Sequence, residues 1–254
     1  MDREQLLAQW KEEEGRGMTG WDFSHMVGRY TVEPLPWDYS QVVKEFLRPG
    51  IRLLDMGTGG GEFLLTLGHP YALTSVTEGW APNLALCKKR LEPLGVTVRE
   101  YDSEKGQPMP FPDDSFDLVI NRHESYDLSE VRRVLKKNGF FVTQQVGGEN
   151  DLPLVRRLCP GFPGGFVGFN LENELPRFRQ AGFRVMQSRQ AYGEGRFLDV
   201  GAVVFQASVC PWEFPGFSVE ACKDTLFQME EQVERLGFVP NLEHRFLIVA
   251  KNRK

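Results

Sequence analysis

One short glycine-rich segment gives the clearest indication of a chemical function in this sequence. The segment reads Asp55-Met56-Gly57-Thr58-Gly59-Gly60-Gly61, and it follows an apolar run, residues 51–54, that predicts a short buried strand. Glycine permits positive backbone torsions and leaves no side chain between the main chain and a ligand. Residues 62–67 favour a helix, whose first N–H groups would point toward the same place. The pattern therefore predicts a loop that holds a nucleotide-like ligand.

Two further carboxylates follow at the ends of predicted strands. Glu78 comes about twenty residues after the loop, where a carboxylate can accept both hydroxyls of a ribose. Asp102 ends the next predicted strand, where it would accept from an exocyclic amine or from a backbone N–H group. Each of these acids is, alternatively, a turn residue on the surface.

The elements that must position these residues alternate between strand and helix from Ile51 to Val146. Strands are predicted at residues 71–77, 96–101, 116–121 and 140–146, and helices at residues 82–91 and 129–137. Such alternation requires crossover connections, so we expect a doubly wound α/β fold with a mostly parallel sheet. Ligands in such sheets bind beyond the carboxyl ends of the strands, where the strand order reverses. The glycine-rich loop follows the first strand and is therefore the predicted site.

Three segments of this region together resemble a known family. Residues 53–61 resemble the first motif of class I S-adenosylmethionine-dependent methyltransferases, and residues 110–119 resemble the segment that leads into their fourth strand. Residues 130–141 are similar to their helix and turn before the fifth strand. A nicotinamide-dependent oxidoreductase is the competing interpretation, but its fingerprint is Gly-x-Gly-x-x-Gly, and here the third glycine comes one residue early.

The resemblance implies a Rossmann-like fold that binds S-adenosyl-L-methionine and releases S-adenosyl-L-homocysteine. It implies that the glycine-rich loop holds the methionine part, that Glu78 binds the ribose, and that Asp102 meets the adenine amine, with Ser103 or Glu104 as the alternatives to Asp102. The implied cofactor-binding residues are Asp55, Gly57, Thr58, Gly59, Gly61, Glu78, Gly79, Trp80, Asp102 and Asn121.

The loop after the fourth strand of this family faces the methyl group that is transferred, and here it contains Arg122, His123 and Glu124. Methyl transfer is an in-line displacement that needs an aligned nucleophile and often a base for the proton that is lost. His123 is a candidate base, while Arg122 and Glu124 would pair with each other or clamp a charged substrate. The alternative is that His123 only forms a hydrogen bond to the carboxylate of the cofactor or to a backbone carbonyl.

The flanking regions are predicted to close the site on the substrate side. Residues 1–50 are expected to form an N-terminal helical lid, residues 51–193 and 244–254 the catalytic domain, and residues 194–243 a capping insertion before an antiparallel seventh strand. Candidate residues for lining a substrate pocket are Trp21, His25, Arg29 and Trp37. The alternative is that these side chains merely pack the N-terminal segment onto the domain.

The C-terminal part of the chain has four predicted elements and one ambiguous one. Residues 171–181 and 219–236 predict helices, and residues 183–192 and 245–251 predict strands. Residues 199–209 contain a β-branched run that suits a strand, but Asp199 would also suit the start of a helix.

The net charge and the cysteine content limit the kinds of ligand and partner that we expect. The chain has 254 residues, a net charge of −5 and four scattered cysteines, so we expect neither a metal site nor an extended nucleic-acid surface. No segment suggests a membrane span or a signal peptide, which predicts a cytoplasmic protein, monomeric or homodimeric. The predicted function is methyl transfer to a small-molecule acceptor. The alternatives are methylation of ribosomal RNA and a non-catalytic protein that binds S-adenosylmethionine.

Overall fold

Eight strands form one sheet in the computed structural model of the chain, which describes residues 2–18 and 21–254. The strands are β1 (Tyr30–Val32), β2 (Leu53–Met56), β3 (Thr74–Glu78), β4 (Thr97–Glu100), β5 (Phe116–Arg122), β6 (Leu135–Val146), β7 (Phe183–Phe197) and β8 (Val239–Asn252). The helices are α1 (Arg3–Gly15), α2 (Tyr39–Lys44), α3 (Glu62–Thr66), α4 (Ala81–Leu91), α5 (Leu128–Val134), α6 (Leu152–Leu158), α7 (Leu171–Gln180), α8 (Val200–Val209) and α9 (Val219–Leu236).

The order of the strands confirms a doubly wound arrangement around β2. The sheet order is β1-β7-β8-β6-β5-β2-β3-β4, and the five strands from β6 to β4 are parallel. The first strand of this parallel group, β2, pairs with β3 on one side and with β5 on the other. The strand order therefore reverses at β2, and the glycine-rich loop lies directly beyond its carboxyl end.

The prediction of seven strands is wrong, because the described residues contain eight. The additional strand, β1, lies in the segment that was expected to be helical, and it pairs antiparallel with the end of β7. Three residues are too few to show an alternating apolar pattern, so pairing with a distant strand decides this element. The last strand, β8, is antiparallel to β6 as expected.

Several boundaries also differ from the predicted ones. The helix expected at residues 129–137 ends at Val134, because Leu135 adopts an extended backbone and begins β6. The strand expected at residues 71–77 begins at Thr74, after a short 3-10 turn. The ambiguous run 199–209 is the helix α8, with Asp199 accepting from the backbone N–H of Ala202 at 2.8 Å.

The residues around the glycine-rich loop belong to one compact unit, formed by Pro36–Val146, Asn170–Gln190 and Arg245–Lys254. The parallel strands of this unit bury nearly continuous apolar runs, as strands covered on both faces do. Phe141 of β6 stacks on Phe178 of α7 with ring centroids 5.8 Å apart. This core positions the carboxyl ends of β2, β3 and β5 side by side.

A second compact unit comprises the described parts of Met1–Leu35 together with Gly147–Phe169 and Ala191–His244. Its core joins side chains from α1, α6, α8 and α9, with Trp10 against Phe227 at a centroid distance of 5.1 Å. The helix α8 is buried almost all round, which explains its uniformly apolar sequence. The division into lid, catalytic domain and insertion stays a prediction, and its boundaries at 193 and 244 fall inside β7 and β8.

Candidate functional site

The glycine-rich loop has the backbone that the sequence predicted. Gly57, Gly59 and Gly61 adopt φ values of +63°, +61° and +81°, which residues other than glycine rarely adopt. A Cβ atom on Gly57 would overlap the side chain of Glu124. The helix that follows is only five residues long, so the backbone that a ligand could approach here is that of the loop rather than that of a long helix.

Asp55, one residue before the end of β2, is a buried carboxylate that accepts from Thr58. The side chain is 4% exposed, and its Oδ2 accepts from the hydroxyl of Thr58 at 2.7 Å. Burial raises the pKa of Asp55 to about 7, although Thr58 and Arg122 oppose that change. The pair Asp55–Thr58 thus ties the strand to the turn of the loop.

Glu78 ends the neighbouring strand, β3, and organises backbone donors. Its Oε2 accepts from the N–H of Gly59 and its Oε1 from the N–H of Trp80, both at 2.9 Å. Burial raises the pKa of Glu78, while these backbone hydrogen bonds favour the ionised form. The carboxylate therefore bridges the glycine-rich loop and the start of α4.

Gly79 and Asp102 lie against each other at the ends of β3 and β4. A Cβ atom on Gly79 would come within 3.0 Å of the carbonyl oxygen of Tyr101 and of the Cβ atom of Asp102. Asp102 accepts from the N–H of Glu104 at 3.0 Å and pairs with Lys105 at 3.3 Å. These contacts make Asp102 the start of a short 3-10 turn in this structure.

Asn121 forms the buried end of β5 and is held by β6. Its Oδ1 accepts from Thr143 at 2.9 Å and from Gln145 at 2.5 Å. The Nδ2 atom is buried and has no hydrogen-bond partner among the described residues. Because a buried amide donor without a partner costs free energy, this atom fits a site completed by a ligand acceptor.

His123 turns the chain sharply after β5. Its φ is +60°, and its backbone N–H donates to the carbonyl oxygen of Gln144 at 2.8 Å. The Nε2 atom of His123 lies 3.0 Å from Nε2 of Gln144. Trp37 decides the orientation of this amide, because its indole N–H can only donate and lies 2.8 Å from Oε1 of Gln144. The amide N–H therefore donates to Nε2 of His123, and this network assigns the ring proton to Nδ1.

The same surroundings make His123 a weak base. The residue retains exposed surface, yet the protein around its ring removes water from it, and this desolvation lowers its pKa well below the usual value. The cations Arg245 and Arg122 lower it further. The ring is thus neutral, and the lone pair of Nε2 is already engaged by Gln144.

Arg122 and Glu124 flank His123 but do not pair with each other. The guanidinium carbon of Arg122 lies 4.5 Å from the ring centre of Phe63, a cation–π contact. Glu124 lies over Gly57, and one of its oxygens accepts from Ser125 at 3.2 Å. Burial and the nearby carboxylates of Glu78 and Asp102 raise the pKa of Glu124 to about 7.

Four residues that sequence reasoning missed support this arrangement. The hydroxyl of Tyr39 donates to the carbonyl oxygen of Asn121 at 3.0 Å, and Sγ of Cys87 lies 2.5 Å from the carbonyl oxygen of Gly59. Gln144 and Gln145 follow each other on β6 and hold His123 and Asn121 respectively. A pair of glutamines in the largely apolar run 140–146 was the available indication of a buried polar network.

Three of the predicted substrate residues lie in the other compact unit. Arg29 forms two hydrogen bonds with Asp199, at 2.9 and 2.6 Å, and an ion pair with Glu13 at 2.9 Å. His25 also contacts Glu13, at 2.7 Å. Trp21 meets Trp212 edge to face, with ring centroids 5.8 Å apart. All predicted cofactor and catalytic residues, and Trp37, belong to the unit that contains the glycine-rich loop.

A family of known proteins matches the part of the chain that forms this site. Residues 54–143 match a family model described as a methyltransferase domain. The chain is 33% identical over 101 residues to a phthiotriol/phenolphthiotriol dimycocerosates methyltransferase of Mycobacterium tuberculosis, a match that covers 37% of this chain and 36% of that protein. It is 29% identical over 124 residues to a fatty-acid O-methyltransferase of Mycolicibacterium smegmatis, covering 45% and 44% of the two chains. The chain therefore spans less than half the length of these two relatives.

Solved structures extend the likeness of the fold beyond that region. The YcgJ protein of Bacillus subtilis superposes with a TM-score of 0.57 at 17% identity, covering 85% of this chain and 98% of that one. Within the described residues, no helix has the length and apolar character needed to cross a membrane. The same residues contain no cluster of three or more metal-ligating side chains.

Proposed function

We propose that this chain, in which residues 54–143 match a family model described as a methyltransferase domain, transfers a methyl group from S-adenosylmethionine to a small apolar molecule that carries a carboxylate. The cofactor supplies an electrophilic methyl group, and the protein aligns the acceptor oxygen with it. The observation that carries the choice of acceptor is the position of Arg122 at the end of β5.

The residues beyond β2 and β3 fit the cofactor. Positive backbone torsions at Gly57, Gly59 and Gly61 open the loop to a ligand, and the acids Asp55 and Glu78 flank it. In this proposal Asp55 and the loop hold the methionine part and Glu78 takes the ribose hydroxyls. Gly79, Trp80 and Asp102 would then lie beside the adenine, and Nδ2 of Asn121 would donate to the cofactor.

Arg122 supports an anionic acceptor. No described carboxylate forms an ion pair with this guanidinium, which instead rests on the ring of Phe63. A cation beside an aromatic ring suits a molecule with an acidic head and an apolar body. The fatty-acid O-methyltransferase among the relatives is named for an acceptor of this kind.

The state of His123 supports the same class of acceptor. A hydroxyl acceptor loses a proton during methylation and benefits from a base, whereas a carboxylate is already ionised at neutral pH. The low pKa of His123 and its hydrogen bond to Gln144 make it a poor base. We therefore assign His123 a positioning role in which it fixes the loop that carries Arg122 and Glu124.

The test is a methyl-transfer assay that follows release of S-adenosylhomocysteine with matched acceptors. Saturated fatty acids, the corresponding alcohols and an RNA transcript should be compared at saturating S-adenosylmethionine. We expect turnover with the acids and little with the alcohols. Turnover with RNA alone, or a failure to bind S-adenosylmethionine by calorimetry, would overturn the proposal.

Variants at Arg122 separate substrate binding from chemistry. Arg122→Gln should raise KM for the acid about tenfold or more while kcat changes little, because one charge-assisted hydrogen bond is lost. Arg48→Gln is the matched control, since the side chain of Arg48 is exposed and donates to the carbonyl oxygen of the neighbouring Leu47. Equal effects of the two substitutions would leave Arg122 without the assigned role.

A further inference from the structure

Glu124 occupies space that only a glycine could leave open. Its Cβ and Cγ atoms lie where a side chain on Gly57 would have to be, so the carboxylate hangs directly over the glycine-rich loop. The chain is turned into this position by the positive φ of His123, and Nε2 of Gln145 holds the carbonyl oxygen of Glu124 at 3.1 Å. The placement of this carboxylate is therefore determined by both neighbouring strands.

The charged groups around Glu124 do not neutralise it. Glu78 and Asp102, at the ends of β3 and β4, are both acidic. The hydroxyl of Ser125 donates to Glu124 at 3.2 Å and also lies 2.8 Å from the hydroxyl of Ser103. Among the described residues no lysine or arginine forms an ion pair with Glu124, and Arg122 is turned onto the ring of Phe63.

A half-buried carboxylate without a cationic partner favours a cationic ligand. S-adenosylmethionine carries a positive sulfonium, and loss of the methyl group converts it into the neutral thioether of S-adenosylhomocysteine. We propose that Glu124 is a specificity-determining residue that makes the site prefer the charged cofactor over the neutral product. This inference rests on the proposed function, because it assumes that the glycine-rich loop binds this cofactor.

The preference for S-adenosylmethionine over S-adenosylhomocysteine should increase with pH. In the free protein the pKa of Glu124 is raised to about 7 by burial and by Glu78 and Asp102. A bound sulfonium stabilises the carboxylate, so binding below pH 7 must first remove its proton. The affinity for S-adenosylmethionine relative to S-adenosylhomocysteine should therefore rise between pH 5.5 and pH 8, by about tenfold for each unit of pKa change.

The experiment is calorimetric titration of the full chain with each ligand at pH 5.5 and pH 8. The comparison uses wild type, Glu124→Gln and Glu92→Gln, because Glu92 is an exposed acid of the same unit. For Glu124→Gln we expect the affinity for S-adenosylmethionine at pH 8 to fall about tenfold, with little change for S-adenosylhomocysteine. The ratio of the two affinities should also lose most of its pH dependence.

The outcomes separate this inference from the function on which it rests. Failure of wild type to bind either ligand overturns the proposed function. Binding of both ligands by Glu124→Gln with the wild-type ratio at both pH values overturns the inference alone. Retained binding of S-adenosylhomocysteine by Glu124→Gln also shows that the variant is folded. A ratio that changes equally in Glu92→Gln would mean that net charge, and not Glu124, sets the preference.

Discussion

The indole N–H of Trp37 lies 2.8 Å from Oε1 of Gln144 and thereby determines which end of that amide faces His123. The amide N–H of Gln144 then donates to Nε2 of His123. Trp37, which precedes α2, therefore sets the tautomer of a histidine more than eighty positions later in the chain. The histidine that most resembles a catalytic base in the sequence is thus held as a neutral, hydrogen-bonded ring.

Trp37→Phe should release this arrangement. The buried Oε1 of Gln144 would lose its donor, so we expect the free energy of unfolding to fall by about 1–3 kcal/mol. The imidazole of His123 should then show a mixture of tautomers by nitrogen-detected NMR, whereas the wild type shows a single Nδ1–H form. Trp212→Phe, at an exposed position, is the control. A single unchanged tautomer in Trp37→Phe would contradict the network.

Gly57→Ala should destabilise the folded chain by two separable effects. The positive φ strains any side chain by roughly 1 kcal/mol, and the new methyl group collides with Glu124. Gly50→Ala is a matched control, because Gly50 has φ +84° with open space around it and so carries the strain without a collision. The double variant Gly57→Ala/Glu124→Gly should regain part of the stability lost by Gly57→Ala. Equal thermal unfolding of all three variants would refute the collision.

Asp55→Asn should change how stability depends on pH. The pKa of Asp55 is about 7 in the folded chain, above its usual value of roughly 3.9, so the folded state binds more protons between about pH 4 and pH 7. This carboxyl group therefore makes stability fall as pH rises through that range. Relative to wild type, the free energy of unfolding of Asp55→Asn should rise by about 1–3 kcal/mol between pH 4 and pH 8, measured by urea unfolding.

Thr58→Val provides an internal check on this result. Its hydroxyl lowers the pKa of Asp55, so removing it should move the pH range of the effect upward. A Thr58→Val profile that moves downward, or an Asp55→Asn profile parallel to wild type, would show that Asp55 is not the titrating group.

Arg29→Gln tests whether the predicted substrate residues of the N-terminal segment are structural. The guanidinium joins Asp199 to Glu13, whose side chain is 9% exposed, so its loss leaves a buried carboxylate without its partner. We expect a loss of about 2–4 kcal/mol in unfolding free energy with KM unchanged. Arg156→Gln, at an exposed position of α6, should lower the free energy of unfolding by less than about 0.5 kcal/mol. A raised KM with unchanged stability would instead support substrate binding by Arg29.

The sequence was sufficient for the parts of the fold that local patterns encode. The apolar strand before Asp55, the alternate glycines and the amphipathic run of α9 lie in contiguous residues, so their period and torsional demands are visible in one dimension. The mostly parallel character of the sheet around β2 also follows from the alternation of strands and helices, because parallel strands need crossover connections.

Elements whose identity depends on a distant partner were not predictable in the same way. The three residues of β1 become a strand only by pairing with β7, and residues 200–209 become a helix because an apolar core surrounds them. The partner that turns Leu135 into the start of β6 is Phe116 of β5, nineteen residues earlier in the chain.

By itself, therefore, the sequence determined the loop, its two flanking acids and the family to which they point, since each depends on residue type and on spacing along the chain. Only the tertiary structure decided that His123 is neutral, that Trp37 orients Gln144, and that Glu124 lies over Gly57. The reason is physical: pKa, tautomer and close approach depend on which groups surround an atom in space.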